Sequence, residues 1–285
     1  MADAPRAFFL PTRDGQRFCI HHPAAGERVR GEVVYVHPFT EEMNKARRMA
    51  ALQSRRLAAA GFDVLQIDLA GCGDSSGDFG DASWQVWIDD VVHARRWLRE
   101  QCDGAASGAP LWLWGLRAGC LLAAEAGRQF EDETVNYCFW QPATSGKLLL
   151  QQFLRTKVAA EMMSGAGKGL MEALKRQLAA GQAIEVAGYK LAPALAQGLE
   201  RAVLTPPPGK PGRVEWLELT TREDAEPTPV STQALAQWSA AGFQCRNRLV
   251  QGPSFWQTTE IEDAPALLDA TLAALHEPQR AVVDA

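Results

Sequence analysis

Several function classes are excluded by what the sequence has little of. No apolar run reaches the ~18 residues that a membrane span requires. The stretch from Met1 to Arg6 lacks the charged and apolar regions of a secretion signal. Six cysteines (Cys19, Cys72, Cys102, Cys120, Cys138 and Cys245) are scattered, with neither a C-x-x-C pair nor a zinc spacing. That usage fits reduced thiols, most of them small core residues, and a cytoplasmic protein. No basic excess exists either: Lys and Arg number 29 against 34 Asp and Glu, a net charge of −5. A nucleic-acid partner is therefore not expected. The one basic cluster, Lys45 to Arg48 with Arg55 and Arg56, reads as a solvated helix face. Histidine is scarce: of five, only His276 lies beyond His93. Neither an internal repeat nor a low-complexity tract is present, and neither a metal nor a cofactor is expected.

Present instead is an ordinary globular composition, 47% hydrophobic and 22% charged over 285 residues. A chain of that length buries roughly 75% of its unfolded surface, enough for one large domain with an insertion. Two short apolar runs, residues 6–12 and 17–25, flank Asp14-Gly15 and predict an antiparallel hairpin. Residues 31–37, 62–69, 111–114 and 135–140 are near-continuous apolar runs, as in strands buried on both faces. Between them lie helical periodicities: an Ala- and Arg-rich segment after Pro38–Asn44 that ends at Gly61, then Trp84, Trp87, Ile88, Val91 and Leu98, then residues 120–130. From 146 to 204 the pattern is helical, interrupted by at most residues 183–186, and closes at the stiff Pro206-Pro207-Pro208. Strand 213–219, helix 229–241, strand 243–250 and helix 260–275 follow.

Strands alternating with helices give a mostly parallel sheet covered on both faces. Two antiparallel leading strands, six βα units and an insertion after the sixth strand narrow this to the α/β-hydrolase fold with an eight-stranded sheet and a helical cap. The expected divisions are 1–144 (core, first part), 145–208 (cap) and 209–285 (core, second part).

That fold holds its nucleophile on a strand–turn–helix elbow, G-x-S-x-G, whose glycines avoid collisions in the sharp turn. Gly115-Leu116-Arg117-Ala118-Gly119 has both glycines, a strand before and a helix after, and Arg117 at the nucleophile position. A guanidinium stays protonated and has no lone pair to offer, so Arg117 is no nucleophile. It can bind anions beside a helix N-terminus, or form a structural ion pair with a carboxylate. The base position after the last strand, in Gln251-Gly252-Pro253-Ser254, is filled by Ser254, which is no base near neutral pH. Asp224 or Glu223 stands for the acid, with no His to orient. Ordinary ester hydrolysis is therefore expected to be absent.

Other candidates surround the elbow. Phe39 or Thr40 would supply one oxyanion-hole N–H and Ala118 the other. Glu41 and Glu42 fit a helix start, where acids suit the dipole, and equally a partner for Arg117 or a general base on water. His37 ends the third strand, where it braces the loop or serves as base; Cys120 is expected to pack inward, Asp68 and Asp74 to make turn bonds, and Trp84 and Trp87 to sit in the core.

Pro38-Phe39-Thr40-Glu41-Glu42-Met43-Asn44 with Arg47-Arg48-Met49, the run from Asp68 to Ser75, Trp114-Gly115-Leu116-Arg117 and Gly252-Pro253-Ser254-Phe255-Trp256 together resemble the exosortase A system-associated hydrolase 2 group. The resemblance covers nearly the whole chain. It implies an α/β-hydrolase branch associated with bacterial protein sorting and exopolysaccharide production, and a protein partner from that system. Two functional readings remain. In one, a catalytically dead relative binds an anionic small molecule or a partner in the capped pocket, which a buried Arg117 saturated by one carboxylate would favour. In the other, a hydrolase or transferase uses Glu41, Glu42 or His37 with Arg117 on an acidic saccharide or lipid precursor, which an exposed Arg117 facing a carboxylate-lined cavity would favour.

Overall fold

β3 (Gly31–Val36), β5 (Leu111–Leu116) and β6 (Val135–Trp140) are buried at every residue, because helices cover both faces of the sheet they form. A computed structural model describes residues 4–101, 108–163 and 169–277; Cys102 lies outside them. With β1 (Arg6–Thr12), β2 (Gly15–His22), β4 (Phe62–Ile67), β9 (Pro211–Thr220) and β10 (Gln244–Gln251), the strands make one eight-stranded sheet in the order β1-β2-β4-β3-β5-β6-β9-β10. β2 pairs antiparallel with β1 and β4; all later pairings are parallel. The leading hairpin turns through Arg13 and Asp14, with Gly15 opening β2 at φ 126°.

Successive strand side chains point to opposite faces, which sorts the core into two layers. Val33, Tyr35 and Trp114 pack with α1 (Glu41–Ala59) and α8 (Pro265–His276). Val34, Val36 and Leu113 pack with α2 (Trp84–Gln101) and α3 (Ala118–Gly127), in a layer that also takes in Trp238 of α7 (Pro229–Ala240). Trp84 and Trp87 sit in this second layer as core residues. On the first face, buried Trp140 donates its indole N–H to Thr271 of α8 at 2.8 Å.

β3 has β4 on one side and β5 on the other, so the chain reverses its direction across the sheet at β3. Ligands of open α/β sheets bind at such a switch point, beyond the carboxyl ends of the strands. Here the loops that meet there follow β3 and β5, which carry residues 37–40 and Arg117.

Between β6 and β9 lie α4 (Gly146–Met163), α5 (Leu170–Ala179), the hairpin β7 (Ile184–Val186) and β8 (Tyr189–Leu191), and α6 (Pro193–Arg201). β7 falls on the interruption at 183–186, while β8 and the pairing of the two strands depart from the helical pattern around it. The two-residue turn between them, Ala187 at φ 49° and Gly188 at φ 83°, has the positive angles a tight hairpin demands. One helix start agrees with a stated reading and one differs. α1 begins at Glu41, so Glu41 and Glu42 do form the helix start that suits acids, three residues earlier than the Ala- and Arg-rich segment alone suggested; Thr40 at φ 52° turns the chain abruptly before them. α8 begins at Pro265, not 260, with the proline in the first turn where its missing N–H costs nothing.

Candidate functional site

Arg117 sits at the point of the turn between β5 and α3 with φ 54° and ψ −113°, a conformation few non-glycine residues adopt. It is held there by its own backbone: its N–H donates to Trp140 O at 3.1 Å, and its carbonyl accepts from Cys120 N at 3.1 Å and Ala143 N at 3.3 Å. Both flanking glycines are sterically required. A Cβ on Gly115 would stand 2.6 Å from the Cys120 nitrogen, and one on Gly119 would run into the carbonyl oxygen of Val36. Strain of this kind costs on the order of 1–3 kcal/mol and persists only where the surroundings fix it.

A second strained residue, Thr40 (φ 52°, ψ −130°), ends the loop after β3; its hydroxyl donates to Phe39 O at 2.9 Å. The N-termini of α1 and α3 thus open from the two loops of the switch point, each with first-turn N–H groups that have no intrahelical partner. Glu41 and Glu42 fill the first turn of α1.

The side chain of Arg117 has three neighbours. Nε donates to Glu42 Oε1 at 3.3 Å, Nη2 reaches Gln152 Oε1 at 3.5 Å, and the guanidinium carbon lies 5.9 Å from the ring centre of Trp256. A charge-assisted Arg–carboxylate contact of full strength runs about 2.7–2.9 Å and is often bidentate. This one is single and long. Arg117 is 14% exposed and Glu42 18%, so the pair is neither sealed nor open. Glu42 Oε2 is buried and makes no hydrogen bond. Burial pushes the Glu42 carboxyl above its ordinary 4.5, with Arg117 pulling the other way.

Glu42, Gln152 and Trp256 all line a cavity of about 310 Å³ between α1, α4 and β8; Arg117 lies behind them and does not line it. The volume is at the small end of small-molecule sites. Phe39, Leu149, Phe153 and Trp256 give it a mostly apolar wall, with Phe39 and Phe153 edge to face at 5.1 Å. Glu41 accepts from the Tyr189 hydroxyl and from Asn44 Nδ2, each at 3.2 Å. Burial and Glu41 push the Tyr189 phenol up to about 12. Lys45 also lines the cavity and donates to the carbonyls of Thr258 (2.5 Å) and Thr259 (3.5 Å), with no carboxylate partner among the described residues.

Of the residues singled out in the sequence, Phe39, Thr40, Glu41 and Glu42 gather around this cavity, and Ala118 is buried at the elbow beside it. His37 does not join them. It is buried, donates from Nδ1 to Pro38 O at 2.8 Å and accepts the Leu69 N–H at Nε2 at 3.1 Å, so both ring nitrogens brace loops. The Leu69 donor fixes the neutral tautomer, and burial holds the imidazole below its usual 6.5. Ser254 is exposed in the loop after β10, and Glu223 and Asp224 are exposed in the loop after β9; none lines the cavity. Arg117 pairs with Glu42, not with Asp224. Cys120 is fully buried and its thiol is pushed well above its ordinary range by desolvation. Asp68 accepts from Arg47 at 2.9 Å and from Asp74 N at 3.2 Å, a turn-bracing role.

Several cavity residues, among them Lys45, Gln152, Tyr189 and Trp256, carried no individual role in the sequence. Lys45 stood within a basic cluster read as a solvated face; Arg48 does pair outward with Asp263, but Lys45 turns into the cavity. Gln152 is a polar position between Leu149 and Phe153 on α4, Trp256 follows Ser254 by two residues, and Tyr189 lies in β8, the strand of the hairpin that the sequence did not announce. Only the polar interruption at Gln152 was a usable signal.

Among the described residues no helix is long and apolar enough to cross a membrane, and no group of three or more His, Cys, Asp or Glu is placed to hold a metal ion.

Solved structures share this architecture. Est1E from Butyrivibrio proteoclasticus, with ferulic acid bound, superposes with a TM-score of 0.67 at 15% identity, over 94% of this chain and 98% of that one. A soluble variant of monoglyceride lipase from Saccharomyces cerevisiae, in complex with a substrate analogue, gives 0.62 at 14% identity over 96% of each chain. An alpha-beta serine hydrolase homologue from Coxiella burnetii gives 0.53 at 14% identity, over 95% of this chain and 97% of that one. At such identities the likeness shows the fold alone. No curated protein matches the chain. Residues 27–182, more than half of the chain, match the model of the Hydrolase_4 family, described as serine aminopeptidase, S33. Sheet order, elbow and family match agree, and the chain belongs to the Hydrolase_4 family of α/β hydrolases.

Proposed function

We propose that this α/β hydrolase relative is a pseudoenzyme that binds an anionic small molecule, or an anionic group of a partner, in the cavity between the core and a cap formed by residues 145–208, with Arg117 as the anchor. One observation carries the reading: the elbow places a guanidinium directly behind Glu42, Gln152 and Trp256 of the cavity wall, and its contacts with Glu42 at 3.3 Å and Gln152 at 3.5 Å are single and long, leaving donors that an anion displacing the Glu42 contact would use. The helix N-terminus that starts at Ala118 favours negative charge at the same place. Backbone N–H groups at Phe39 or Thr40 and at Ala118, which would serve an oxyanion in an active relative, suit a bound anion equally. Ser254 at the base position and Asp224 or Glu223 at the acid position leave Ser-His-Asp chemistry without its proton carrier, and such a loss costs about 10⁶ in turnover.

The resemblance to the exosortase A system-associated hydrolase 2 group supports a ligand or protein partner from that exopolysaccharide-linked system, on its cytoplasmic side. A second reading has one specific observation in its favour. Glu42 lines the cavity and its Oε2 is buried without a hydrogen-bond partner, which suits a general base on water with Arg117 as electrostatic clamp. Isothermal titration of short-chain carboxylates and phosphate monoesters into the wild type and Arg117→Met tests the first reading. Binding that vanishes in Arg117→Met supports it; binding unchanged in that variant contradicts it.

A further inference from the structure

Glu42 lines the cavity, Arg117 does not, and the Glu42 carboxylate is the anion the guanidinium already touches. An anion arriving through the cavity therefore meets Glu42 before it meets Arg117. We propose that Glu42 is an internal stand-in for the ligand, so that the site takes an apolar monocarboxylate by carboxylate exchange with uptake of one proton; this rests on the anion-binding reading above.

Charge balance decides the exchange. Two ionised carboxylates beside one half-buried guanidinium repel, and the cheaper state keeps one of them neutral. The incoming carboxylate takes the Arg117 contact as the anion, and the proton, drawn from solvent, goes to Glu42. Before and after exchange the site holds one guanidinium and one carboxylate, so its buried net charge is unchanged. Glu42 Oε2, buried and without a partner in the unliganded protein, then has a hydrogen to donate to the ligand carboxylate. Burial already biases Glu42 toward the neutral form. A phosphate monoester, which carries more than one charge near neutral pH, would need more than this one proton for the same balance. The remaining wall, Phe39, Leu149, Phe153 and Trp256, suits a short alkyl or aromatic body.

The other charged or titratable groups facing the cavity are few. α1 contributes Glu41, held by Tyr189 and Asn44, and Lys45, held by the Thr258 and Thr259 carbonyls. β8 contributes Tyr189, whose phenol at about 12 stays neutral near pH 7. α4 and the segment after β10 contribute Leu149, Gln152, Phe153, Thr156, Trp256 and Gln257, none of which titrates.

The test is calorimetric titration of octanoate into the full chain between about pH 6 and pH 8, in two buffers of different ionisation enthalpy, with octanol and octyl phosphate as comparators. The expected result is one proton taken up per octanoate and a Kd that weakens about tenfold per unit of rising pH. Glu42→Gln, which mimics the neutral acid, is expected to bind at least about tenfold tighter at pH 8 and to lose the pH dependence. Octanoate binding with the same Kd at every pH and in Glu42→Gln overturns the exchange while leaving Arg117 as an anion anchor. Octanol or octyl phosphate binding as tightly as octanoate overturns the ligand class. No binding of octanoate or octyl phosphate to either protein overturns the anion-binding reading itself. The wild-type proton count decides the matter even if Glu42→Gln folds poorly.

Discussion

Tyr189 on the insertion hairpin and Glu41 on the first turn of α1 share a hydrogen bond of 3.2 Å across the cavity mouth, and Asn44 donates to the same phenol at 3.3 Å. The hairpin is thereby tied to the core on the wall of the cavity itself, with Phe79 packed edge-on against the Tyr189 ring at 5.2 Å. Tyr189→Phe keeps the ring and removes the tie. Because Glu41 is exposed, the loss is modest, about 1 kcal/mol. It should be local: faster amide exchange in β7 and β8 with the unfolding midpoint nearly unchanged. Uniformly unchanged exchange would show that the hydroxyl ties nothing.

Gly119 lies against the Val36 carbonyl, which as strand backbone cannot retreat. Gly119→Ala should destabilise the fold by about 3 kcal/mol through overpacking, read as a lower urea midpoint. A midpoint equal to wild type would mean that α3 can slide away from β3 and that the elbow is not rigid.

His37 gives a pH signature. Its folded pKa lies below the unfolded 6.5, so the unfolded chain binds the extra proton as pH falls. Its share of stability is therefore fully present above about pH 6.5 and is lost below it, by up to about 1.4 kcal/mol per pH unit. Raised carboxyls such as Glu42 and Glu32 act in the opposite sense, so wild type alone does not isolate the effect. His37→Gln should flatten the decline between about pH 6.5 and pH 5.5 in paired denaturation series. Parallel slopes in the two proteins would contradict a buried neutral His37.

Arg17 and Asp90 form an ion pair at 2.7 Å with both side chains 2% exposed, and Asp90 also accepts the Ala70 N–H at 2.8 Å. Asp90→Ala strands a buried guanidinium and should cost about 3–5 kcal/mol. Asp263→Ala, which breaks the exposed pair with Arg48, should leave the urea midpoint nearly where it was. Similar losses in the two variants would contradict the burial contrast.

The parts of this molecule that were legible in its sequence are those fixed by local sterics and periodicity. Three strands buried at every residue show as near-continuous apolar runs, broken only by Glu32 and Asn136, and Gly115 and Gly119 announce the sharp turn because no Cβ fits there. The start of α1 was legible in the acids Glu41 and Glu42, but the abrupt turn before it was not, since it depends on Thr40 adopting a positive φ that threonine rarely takes. Nor was the division of labour between Glu41 and Glu42. Neighbours on a helix point about 100° apart, so one reaches Tyr189 and the other Arg117, but which does which depends on how α1 rotates against the sheet. Lys45 finds the Thr258 carbonyl 213 residues away, a contact made only by tertiary packing. Arg117 itself came out between the two arrangements foreseen for it, neither saturated by one carboxylate nor open to the cavity.

The central claim is that the elbow holds an anion anchor where active relatives hold a nucleophile. The most direct measurement is turnover of short- and long-chain aryl esters and thioesters, together with labelling by a fluorophosphonate probe, in wild type, Arg117→Ser, Glu41→Ala and Glu42→Gln. No turnover above background and no labelling are expected in the wild type. Turnover in the wild type that falls sharply in Glu42→Gln or Glu41→Ala would contradict it and would establish a rebuilt catalytic site.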